Sequence, residues 1–275
     1  MPAVLDRVRV WAASRGVVLL VHRDLEPCCQ GIRWDLVEAS VLRREATVVL
    51  SLGGDGTLLR TAHLIAPEEV PILGVNVGRL GFLADTQAEE LEGALEDLWE
   101  GRYGIEARLT LALRVCSEQN EPERWALNDV VVGKAGASSM IAVEAEVDGR
   151  YLNTYWGDGL IVATPTGSTA YSLAAGGPIL APELEAILVT PICPHTLTTR
   201  SVVLPASVRI RLRVAAWERP VVVAWDSWSA QYRGQTLELE LGCAAHRVRL
   251  VKRPGHDFFT TLRQKLGWGW DRRGM

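Results

Sequence analysis

Lysine is nearly absent from this chain of 275 residues, which carries it only at Lys134, Lys252 and Lys265. Acidic residues outnumber basic ones by 33 to 29, so the formal net charge is −4. A charge of this sign does not indicate a nucleic-acid partner, which would need a strongly basic surface. With so few lysines, a site that binds phosphate has to use arginine, backbone N–H groups or a metal ion.

Cysteine is sparse and irregularly spaced. The number is odd, two are adjacent and no pair is spaced C-x-x-C, which excludes a disulfide framework and a cysteine zinc site. This pattern fits a reducing compartment, and we expect the protein in the cytoplasm. Asp6, Arg7 and Arg9 interrupt any apolar core near the N-terminus, so we expect no signal peptide. The cysteines are Cys28, Cys29, Cys116, Cys193 and Cys243.

An apolar run suited to crossing a membrane is also missing. Leu160–Pro182 carries no formal charge and is long enough to span a bilayer. It is rich in Gly, Pro, Ser and Thr, so we interpret it as a buried polar loop and expect no membrane partner. An apolar content of 48% and a charged content of 23% are typical of a globular protein, and the length allows two domains.

The most informative stretch is Ala46–Thr61, where a β-branched run ends at Gly53-Gly54-Asp55-Gly56-Thr57 and a helical pattern begins at once. A short buried strand, a glycine-rich turn and a helix bring backbone N–H groups close to phosphate. A carboxylate at Asp55 would repel phosphate unless it holds Mg²⁺ or takes a proton from an attacking hydroxyl. We therefore favour a phosphoryl-transfer site. The alternative is an ordinary turn in which Asp55 is only a helix N-cap.

The first part of the chain alternates helical and strand patterns, which predicts a parallel sheet covered by helices. Ligands bind at the carboxyl ends of such strands, where Asp55 and Asn76 lie. The spacing predicts helices at Val4–Ser14, Ile32–Leu42, Leu58–Ile65 and Glu89–Trp99, and strands at Val17–Val21, Thr47–Leu52 and Ile72–Val75.

The pattern changes near Tyr103, beyond which short strands with turn signals predominate. We predict an α/β N-terminal domain at residues 1–104, followed by an all-β, multi-sheet C-terminal domain at residues 105–275. Its tail, residues 252–275, is a candidate to pack back on the first domain. Predicted strands are Ala107–Val115, Ala126–Val132, Ile141–Val147, Leu160–Ala163, Ser207–Val214, Pro220–Trp225, Thr236–Leu241 and Arg247–Val251; predicted helices are Tyr171–Ala175, Ala181–Leu188 and Phe258–Leu266.

A second informative stretch is Gly157–Pro178, in which hydroxyl side chains surround Gly167. Such a loop offers small donors and acceptors that could read a sugar or an adenine edge. Tyr171 could stack on a base, and Asp158 could accept hydrogen bonds from ribose or amide donors. The alternative is an uncharged loop of the core.

Several motifs occur in order over most of the chain. G-G-D-G-T alone is shared with diacylglycerol kinases and, as a variant, with 6-phosphofructokinases. The full set resembles a bacterial NAD kinase, and T-P-T-G-S-T-A-Y is its specific part. The motifs are Gly53–Thr57, Gly74–Leu83, Leu127–Asp129, Asp158-Gly159, Thr164–Tyr171, Gly176–Pro178, Pro191–Leu197 and Lys265–Trp268.

The resemblance implies transfer of the terminal phosphoryl group of ATP to the 2′-hydroxyl of the adenosine ribose of NAD⁺. Asp55 then matches the proposed general base, and a divalent metal such as Mg²⁺ neutralises charge. No dedicated set of protein ligands for that metal is evident. Arg60 is a candidate for phosphate, with a solvated helix arginine as the alternative. The implied phosphate-binding residues are Gly53, Gly54, Gly56 and Thr57.

The resemblance also implies the substrate residues. Asn128-Asp129 matches a pair that holds adenine and ribose groups, and Asp158 matches an acidic residue that reads the dinucleotide. The turn that would contact adenine consists of Thr169, Ala170, Tyr171, Ser172, Leu173 and Ala174. Weaker candidates are Asn76, Ser139, Trp156, Thr166, Ser168, Asp226 and Trp228.

The chain departs from the family pattern at several positions. Trp156 stands where many members have arginine, Trp228 follows Asp226-Ser227 where glutamine is common, and Ser139 replaces a basic residue or histidine. The sequence also begins inside the helix that normally follows a first strand, so we expect an exposed sheet edge.

The sequence leaves several alternatives open. A related small-molecule or lipid kinase and a non-catalytic NAD(P)-binding homologue are alternative functions. The donor is ATP or polyphosphate, and the acceptor is NAD⁺ or NADH. The resemblance implies a homodimer or homotetramer with active sites shared between subunits.

Overall fold

The computed structural model describes residues 1–29, 34–78, 81–116, 121–136, 140–215, 220–234 and 236–268. The chain divides into two compact units. One is formed by Met1–Ala107 together with the segment from Val248 onward, and the other by Arg108–Arg247.

The N-terminal part alternates helices and short strands. Its helices are α1 (Pro2–Arg15), α2 (Ala39–Glu45), α3 (Asp55–Ile65) and α4 (Leu91–Trp99), with 3₁₀ turns at Arg23–Cys28 and Ala88–Glu90. Its strands are β1 (Val21–His22), β2 (Leu36–Val37), β3 (Val49–Leu52), β4 (Ile72–Asn76), β5 (Thr86–Gln87) and β6 (Gly104–Arg108).

The middle of the chain is almost entirely β. Its strands are β7 (Leu111–Val115), β8 (Arg124–Ala126), β9 (Asp129–Lys134), β10 (Ile141–Val147), β11 (Arg150–Gly157), β12 (Gly159–Ala163), β13 (Ala186–Ile192), β14 (Val202–Pro205), β15 (Ile210–Val214), β16 (Val221–Trp225), β17 (Trp228–Tyr232) and β18 (Leu237–Cys243). A 3₁₀ turn at Thr166–Thr169 leads into the short helix α5 (Tyr171–Ala174).

The last described segment contains β19 (Val248–Lys252) and α6 (Phe258–Leu266). In the first unit, β3, β4, β19 and β6 form a sheet in that order, with β5 beside β4. Strands β3, β5 and β19 each pair with β4 in parallel. The predicted fold class, an α/β region followed by a multi-sheet β region and a terminal helix, is confirmed.

Helix α1 packs on α4 through both apolar and charged contacts. Val4, Leu5 and Val8 are buried, and burial of each such side chain contributes about 1.5–3 kcal/mol. The Trp11 indole N–H donates to Glu96 at 2.8 Å, and the Arg15 guanidinium contacts the same carboxylate at 2.9 Å. Gly16 ends the helix at φ +67°, a backbone conformation that favours glycine.

The second unit is built on two six-stranded sheets, β11-β10-β15-β18-β7-β8 and β14-β13-β12-β9-β16-β17. Inward side chains from both sheets form one hydrophobic core. In β15, Ile210, Leu212 and Val214 face this core, whereas Arg211 and Arg213 face solvent. The alternation that the sequence shows in this strand therefore corresponds to one buried and one exposed face.

The exposed face of the first of these sheets carries rows of charge. Glu146 of β10 is opposite Arg211 of β15, which is opposite Glu240 of β18, which is opposite Arg114 of β7. The Arg211 guanidinium contacts Glu240 at 3.1 Å. Such exposed pairs contribute about 0.2–1 kcal/mol each.

Some predicted elements are wrong. Residues 17–20 form no strand, so only Val21 of the predicted strand Val17–Val21 lies in a strand, β1. The predicted helix Ile32–Leu42 contains strand β2 and the start of α2, while Ile32 and Arg33 lie outside the described residues. In the predicted helix Ala181–Leu188, residues 181–185 form a turn and coil, and the last three residues begin strand β13, which is buried along its whole length. A run buried on both faces has no periodicity that separates strand from helix.

Two strands belong to a different sheet from the one their sequence position suggests. Both β6 and β19 lie in the sheet of the first unit, although residues 105–108 of β6 and all of β19 fall within the predicted all-β domain. Their alternating pattern identifies a strand but carries no information about its neighbours. Among the described residues, no helix is both long and apolar enough to cross a membrane.

A buried ion pair joins β19 to the segment before β5. Lys252 pairs with Asp85, and their side chains are 11% and 6% exposed. We expect Lys252→Met to lower the free energy of unfolding by about 3–5 kcal/mol, because it leaves Asp85 buried without a counter-charge. Arg249→Met, on the same strand, removes a half-exposed pair with Glu69 and should cost about 0–1 kcal/mol. Urea unfolding of both variants tests this, and equal losses would contradict it.

Candidate active site

The glycine-rich turn connects strand β3 directly to helix α3. The Gly53 N–H donates to the Val75 carbonyl at 2.9 Å. A Cβ at Gly53 would lie 2.2 Å from Thr57 Oγ1, so a larger residue would displace that side chain. Nothing lies within 4 Å of a Cβ placed at Gly54 or Gly56. The start of α3 is therefore open to close approach by a ligand.

Asp55 is held by a neighbouring loop rather than by its own helix. Its Oδ2 accepts from the Phe82 N–H at 2.8 Å, and its Oδ1 accepts from the Leu83 and Ala84 N–H groups at 3.0 Å each. Gly54 is the N-cap of α3, and no side chain caps that helix end. The alternative in which Asp55 serves only as an N-cap is therefore wrong.

The Asp55 carboxylate retains capacity for one more partner. A carboxylate oxygen can accept about two hydrogen bonds. Oδ1 already accepts two from the loop, whereas Oδ2 accepts one. The side chain is only partly buried, so a hydroxyl group could donate to Oδ2 without displacing the loop.

The loop that holds Asp55 is fixed to strand β4. Asn76 is 1% exposed, and its Oδ1 accepts from the Gly78 N–H at 2.8 Å. A Cβ at Gly74 would lie 2.8 Å from Ala84 Cα, and one at Gly81 only 1.9 Å from Asp55 Oδ1. Glycine at these two positions lets the loop reach both the strand and the carboxylate. Asn76, predicted as a weak ligand candidate, thus fixes the loop.

Arg60 points into solvent on helix α3. Its side chain is 69% exposed, and its Nη2 lies 3.5 Å from Asp24 Oδ2. This arrangement is that of a solvated helix arginine, the alternative stated for this residue.

In the second unit, Asp226 holds the segment that contains Asn128 and Asp129. Its carboxylate accepts from the Leu127 and Asn128 N–H groups at 2.8 Å each. Asp226 itself adopts φ +49° in the two-residue turn between β16 and β17. A non-glycine residue rarely adopts this conformation. The hydrogen bonds that the Asp226 carboxylate accepts help to hold the turn in it.

Asp129 lies in an environment that favours its neutral form. It is 7% exposed at the start of β9. Burial, with a smaller contribution from the charge of Asp226, raises the pKa of the Asp129 carboxyl to about 7. Near neutral pH this group can therefore donate as well as accept a hydrogen bond.

The hydroxyl-rich loop uses most of its hydroxyls internally. Thr164 Oγ1 donates to the Leu127 carbonyl at 2.6 Å, Ser168 Oγ donates to the Pro165 carbonyl at 2.6 Å, and Ser172 Oγ lies 2.9 Å from Thr190 Oγ1. These three hydroxyls therefore fix the loop, and ligand binding by Ser168 and Ser172 stays a prediction.

The loop also lies directly against the Asn128 backbone. A Cβ at Gly167 would lie 2.0 Å from the Asn128 carbonyl oxygen, so glycine is required there. Thr166 Oγ1 accepts from Arg108 at 3.4 Å, and Thr169 Oγ1 donates to the Thr166 carbonyl at 3.1 Å. The structure thus brings the motif at Thr164–Tyr171 together with the motif at Leu127–Asp129.

A cavity of about 310 Å³ lies at the other end of β9. It is lined by Asp158 and Tyr171, for which dinucleotide binding stays a prediction, and also by Lys134, which was not among the predicted site residues. Lys134 Nζ lies 2.5 Å from Asp158 Oδ1. The lining residues are Val131, Gly133, Lys134, Gly136, Asp158, Tyr171, Ile192, Val222 and Ala224.

The remaining predicted residues fall into three groups. Trp156 on β11 and Trp228 on β17 are 49% and 38% exposed and do not line the cavity. Ser139 lies outside the described residues. Ala170 precedes helix α5, which contains Ser172, Leu173 and Ala174.

The sequence patterns did not identify two features of the candidate sites. These are the Phe82–Ala84 N–H groups that bind Asp55, and Lys134, which pairs with Asp158. Backbone donors leave no side-chain signal, although the close spacing of Gly78 and Gly81 marks this loop as irregular. The described part of the chain brings together no group of three or more His, Cys, Asp or Glu side chains that could hold a metal ion.

Two family models match the chain. The ATP-NAD kinase N-terminal domain matches residues 20–103, and the ATP-NAD kinase C-terminal domain matches residues 127–252.

Proteins named NAD kinase are similar over most of the chain. The chain is 40% identical over 276 residues to one from Gemmatimonas aurantiaca, covering 98% of this chain and 92% of that protein. It is 43% identical over 232 residues to one from Bacteroides fragilis, covering 83% and 79%. Yeast NADH kinase complexed with NADH has a similar fold, with a TM-score of 0.90, 24% identity, and coverage of 100% of this chain and 86% of that one.

The pKa of Asp129 predicts a pH-dependent stability. Below the unfolded pKa near 3.8 the proton is bound in both states, and between that value and about 7 only the folded state keeps it. Stability should therefore fall as pH rises through this window, by about 1.4 kcal/mol for each pH unit.

The variant Asp129→Asn has no carboxyl proton to lose. The difference between its melting temperature and that of the parent should therefore shift in favour of the variant as pH rises from 5 to 8. Glu123→Gln, at an exposed position, is the control and should follow the parent. Differential scanning calorimetry checks this. A pH-independent difference between Asp129→Asn and the parent would contradict the assignment.

Proposed function

Because the chain belongs to the NAD kinase family, we propose that it transfers the terminal phosphoryl group of ATP to the 2′-hydroxyl of the adenosine ribose of NAD⁺, forming NADP⁺. The observation that carries this proposal is the position of Asp55. A carboxylate with a spare acceptor site stands at the open start of helix α3, where phosphate is expected to bind.

The proposed reaction uses Asp55 as the general base. The ribose hydroxyl donates its hydrogen to Asp55 Oδ2, and the proton moves to the carboxylate as the hydroxyl oxygen attacks the terminal phosphorus of ATP. The bond from that phosphorus to the bridging oxygen breaks, and ADP leaves with the electron pair. The three loop N–H groups keep the carboxylate in place, which gives the attack a fixed geometry.

The glycine turn supplies the phosphate contacts. Backbone N–H groups are offered at Gly54, the N-cap of α3, and at Gly56 in its first turn, and the positive end of the helix dipole favours the anion. The Thr57 N–H already donates to the Gly54 carbonyl at 3.0 Å. No lysine lies in this turn, so the contact relies on backbone donors.

A divalent cation, Mg²⁺ or similar, would neutralise charge on the phosphates when bound. Asp55 is the carboxylate of the glycine turn, and it would be the residue there to hold such an ion together with the phosphate oxygens. This agrees with the coordination preference of Mg²⁺, which usually keeps water and phosphate ligands and takes few ligands from the protein.

The second unit is proposed to hold the dinucleotide. Asn128 and Asp129 offer an amide and a carboxyl group for the adenosine half, and the cavity at Asp158 and Tyr171 offers apolar walls with one charged pair. Assembly into a homodimer or homotetramer would let these groups serve a neighbouring subunit. Polyphosphate is an alternative donor, which a donor panel would test.

Replacement of Asp55 tests the catalytic role. Asp55→Asn and Asp55→Ala should each lower kcat by about 10²–10⁴-fold, because neither accepts the proton, while NAD⁺ binding persists. Asp55→Ala should also lower the free energy of unfolding by about 1–3 kcal/mol, since it leaves the loop N–H groups without their acceptor. Chromatographic detection of NADP⁺ and a thermal melt provide the two readouts.

Asp6→Asn, at a half-exposed position on helix α1, is the control and should keep the parent's activity. An Asp55→Asn variant that turns over at the parent's rate would refute the base role. A parent protein that forms no NADP⁺ from NAD⁺, ATP and Mg²⁺ would refute the proposed function itself and favour a non-catalytic homologue.

A second prediction uses the glycine beside the carboxylate. In Gly81→Ala the new Cβ would lie 1.9 Å from Asp55 Oδ1, so the carboxylate must move. We expect a loss of about 10²-fold in kcat, the cost typical of a misplacement near 1 Å. Gly78→Ala, whose Cβ would lie 3.8 Å from Asn76 Oδ1, should stay within about twofold of the parent. Equal activities for the two variants would show that the position of Asp55 is not limiting.

A further inference from the structure

Three parallel strands of the first unit end at the same edge of its sheet. Strands β3 and β19 each pair with β4 in parallel, so the carboxyl ends of all three point the same way. This is the edge at which sheets of this kind bind their ligands. Strand β3 continues into the glycine turn, β4 continues into the loop that holds Asp55, and β19 continues toward helix α6.

Helix α6 is fixed in this unit by its N-cap and by its buried face. The Asp257 side chain caps the helix, and its Oδ1 accepts from the Thr260 N–H at 3.0 Å. Leu262 is buried, and Gly267 ends the helix at φ +66°. Lys265 lies in the last turn and is exposed. A lysine is favourable at this end of any helix, so its position there does not by itself indicate a ligand.

The Lys265 ammonium lies over the aromatic ring of the loop that holds Asp55. Its nitrogen is 5.4 Å from the centre of the Phe82 ring. The Phe82 backbone N–H donates to Asp55 Oδ2, which is the carboxylate oxygen with a spare acceptor site. Phe82 therefore borders the place where the proposed base receives the ribose hydroxyl, and Lys265 brings a positive charge to that border.

The contact with the ring does not prevent Lys265 from binding an anion. A cation–π contact at an exposed site is weak, whereas a hydrogen bond from an ammonium to a phosphate oxygen joins two charged groups. Lysine carries its charge on a flexible stem, so the Lys265 ammonium can move from the ring to a bound phosphate. Lys252, at the end of β19, cannot do so because it is buried against Asp85.

The terminal phosphate is the one that this geometry favours. In the proposed reaction the hydroxyl bound to Asp55 Oδ2 attacks the terminal phosphorus, so that phosphorus lies close to the same oxygen. Negative charge is spread over the oxygens of the transferred group, and a cation placed beside them stabilises the transition state.

We propose that Lys265 is a catalytic residue, whose ammonium group binds the terminal phosphate of ATP and stabilises its charge during transfer. Lys265 was not among the predicted phosphate ligands, because it lies far from the glycine turn in the sequence and approaches it only through the order of the strands. This inference rests on the proposed function, since it assumes that ATP binds at the glycine turn.

The test measures the binding of ATP and of ADP, each with Mg²⁺, by isothermal titration calorimetry in the parent and three variants. Lys265→Met removes the charge but keeps a side chain that packs on an aromatic ring. It should weaken ATP binding by about tenfold and keep ADP binding within about twofold of the parent. Lys265→Arg keeps the charge and should bind ATP within about threefold of the parent. Arg263→Met removes another exposed cation of α6 and should match the parent with both nucleotides.

Turnover provides a second readout. In Lys265→Met, kcat for NADP⁺ formation should fall by about 10²-fold, the typical cost of removing one donor that stabilises charge in the transition state. Because Lys265 is exposed, the melting temperature of this variant should stay that of the parent.

The comparison of ATP with ADP separates a phosphate contact from a structural role. If Lys265 only held the loop or only stabilised the end of α6, the binding of both nucleotides would change alike in Lys265→Met. Equal changes for the two nucleotides, or unchanged ATP binding, would therefore overturn the inference. The titrations need no NAD⁺, so a parent that binds ATP but forms no NADP⁺ refutes the proposed function alone, and the two failures are distinguished.

Discussion

Backbone N–H groups that converge on a carboxylate shape one candidate segment in each of the two units. Asp55 receives three such groups from the loop at Phe82–Ala84, and Asp226 receives those of Leu127 and Asn128. Each segment lacks the regular pairing of a helix or a sheet, so the carboxylate supplies the hydrogen bonds that secondary structure would otherwise provide. In the first unit the same side chain is also the proposed base, which joins the local fold to the chemistry in one residue.

These arrangements require short distances that a side chain would prevent. Gly74 and Gly81 let the loop lie against β4 and against Asp55, and Gly167 lets the hydroxyl-rich loop lie against Asn128. The motifs Thr164–Tyr171 and Leu127–Asp129 of the second unit therefore pack against each other. The inward hydroxyls of Thr164 and Ser168 fix this arrangement further.

The sequence predicts the fold class and the position of the glycine turn, because a buried strand, a glycine turn and a helix follow one another without interruption. It also predicts that Asp158 and Tyr171 share a ligand, and both line one cavity. The helix predicted at Ala181–Leu188 is wrong in its last three residues, which begin strand β13, because a fully buried run has no periodicity. The N–H groups that hold Asp55 could not be found, because every residue except proline carries the same donor. The partner of Lys134 depends on the pairing of β9 with β12, which sequence position alone does not specify.

The rows of charge on the exposed sheet face favour the observed order of the strands. Outward residues are acidic on β10 and β18 and basic on β15 and β7, so each strand carries a single sign. A slip of two residues along a strand would still place opposite charges together, and the rows therefore do little to set register. An exchange of neighbours, with β10 beside β18, would instead bring Glu144 and Glu146 against Glu238 and Glu240. This repulsion between like charges would occur only in a misassembled sheet. During folding it would therefore favour the observed neighbours over this exchange, although the strands are far apart in the chain.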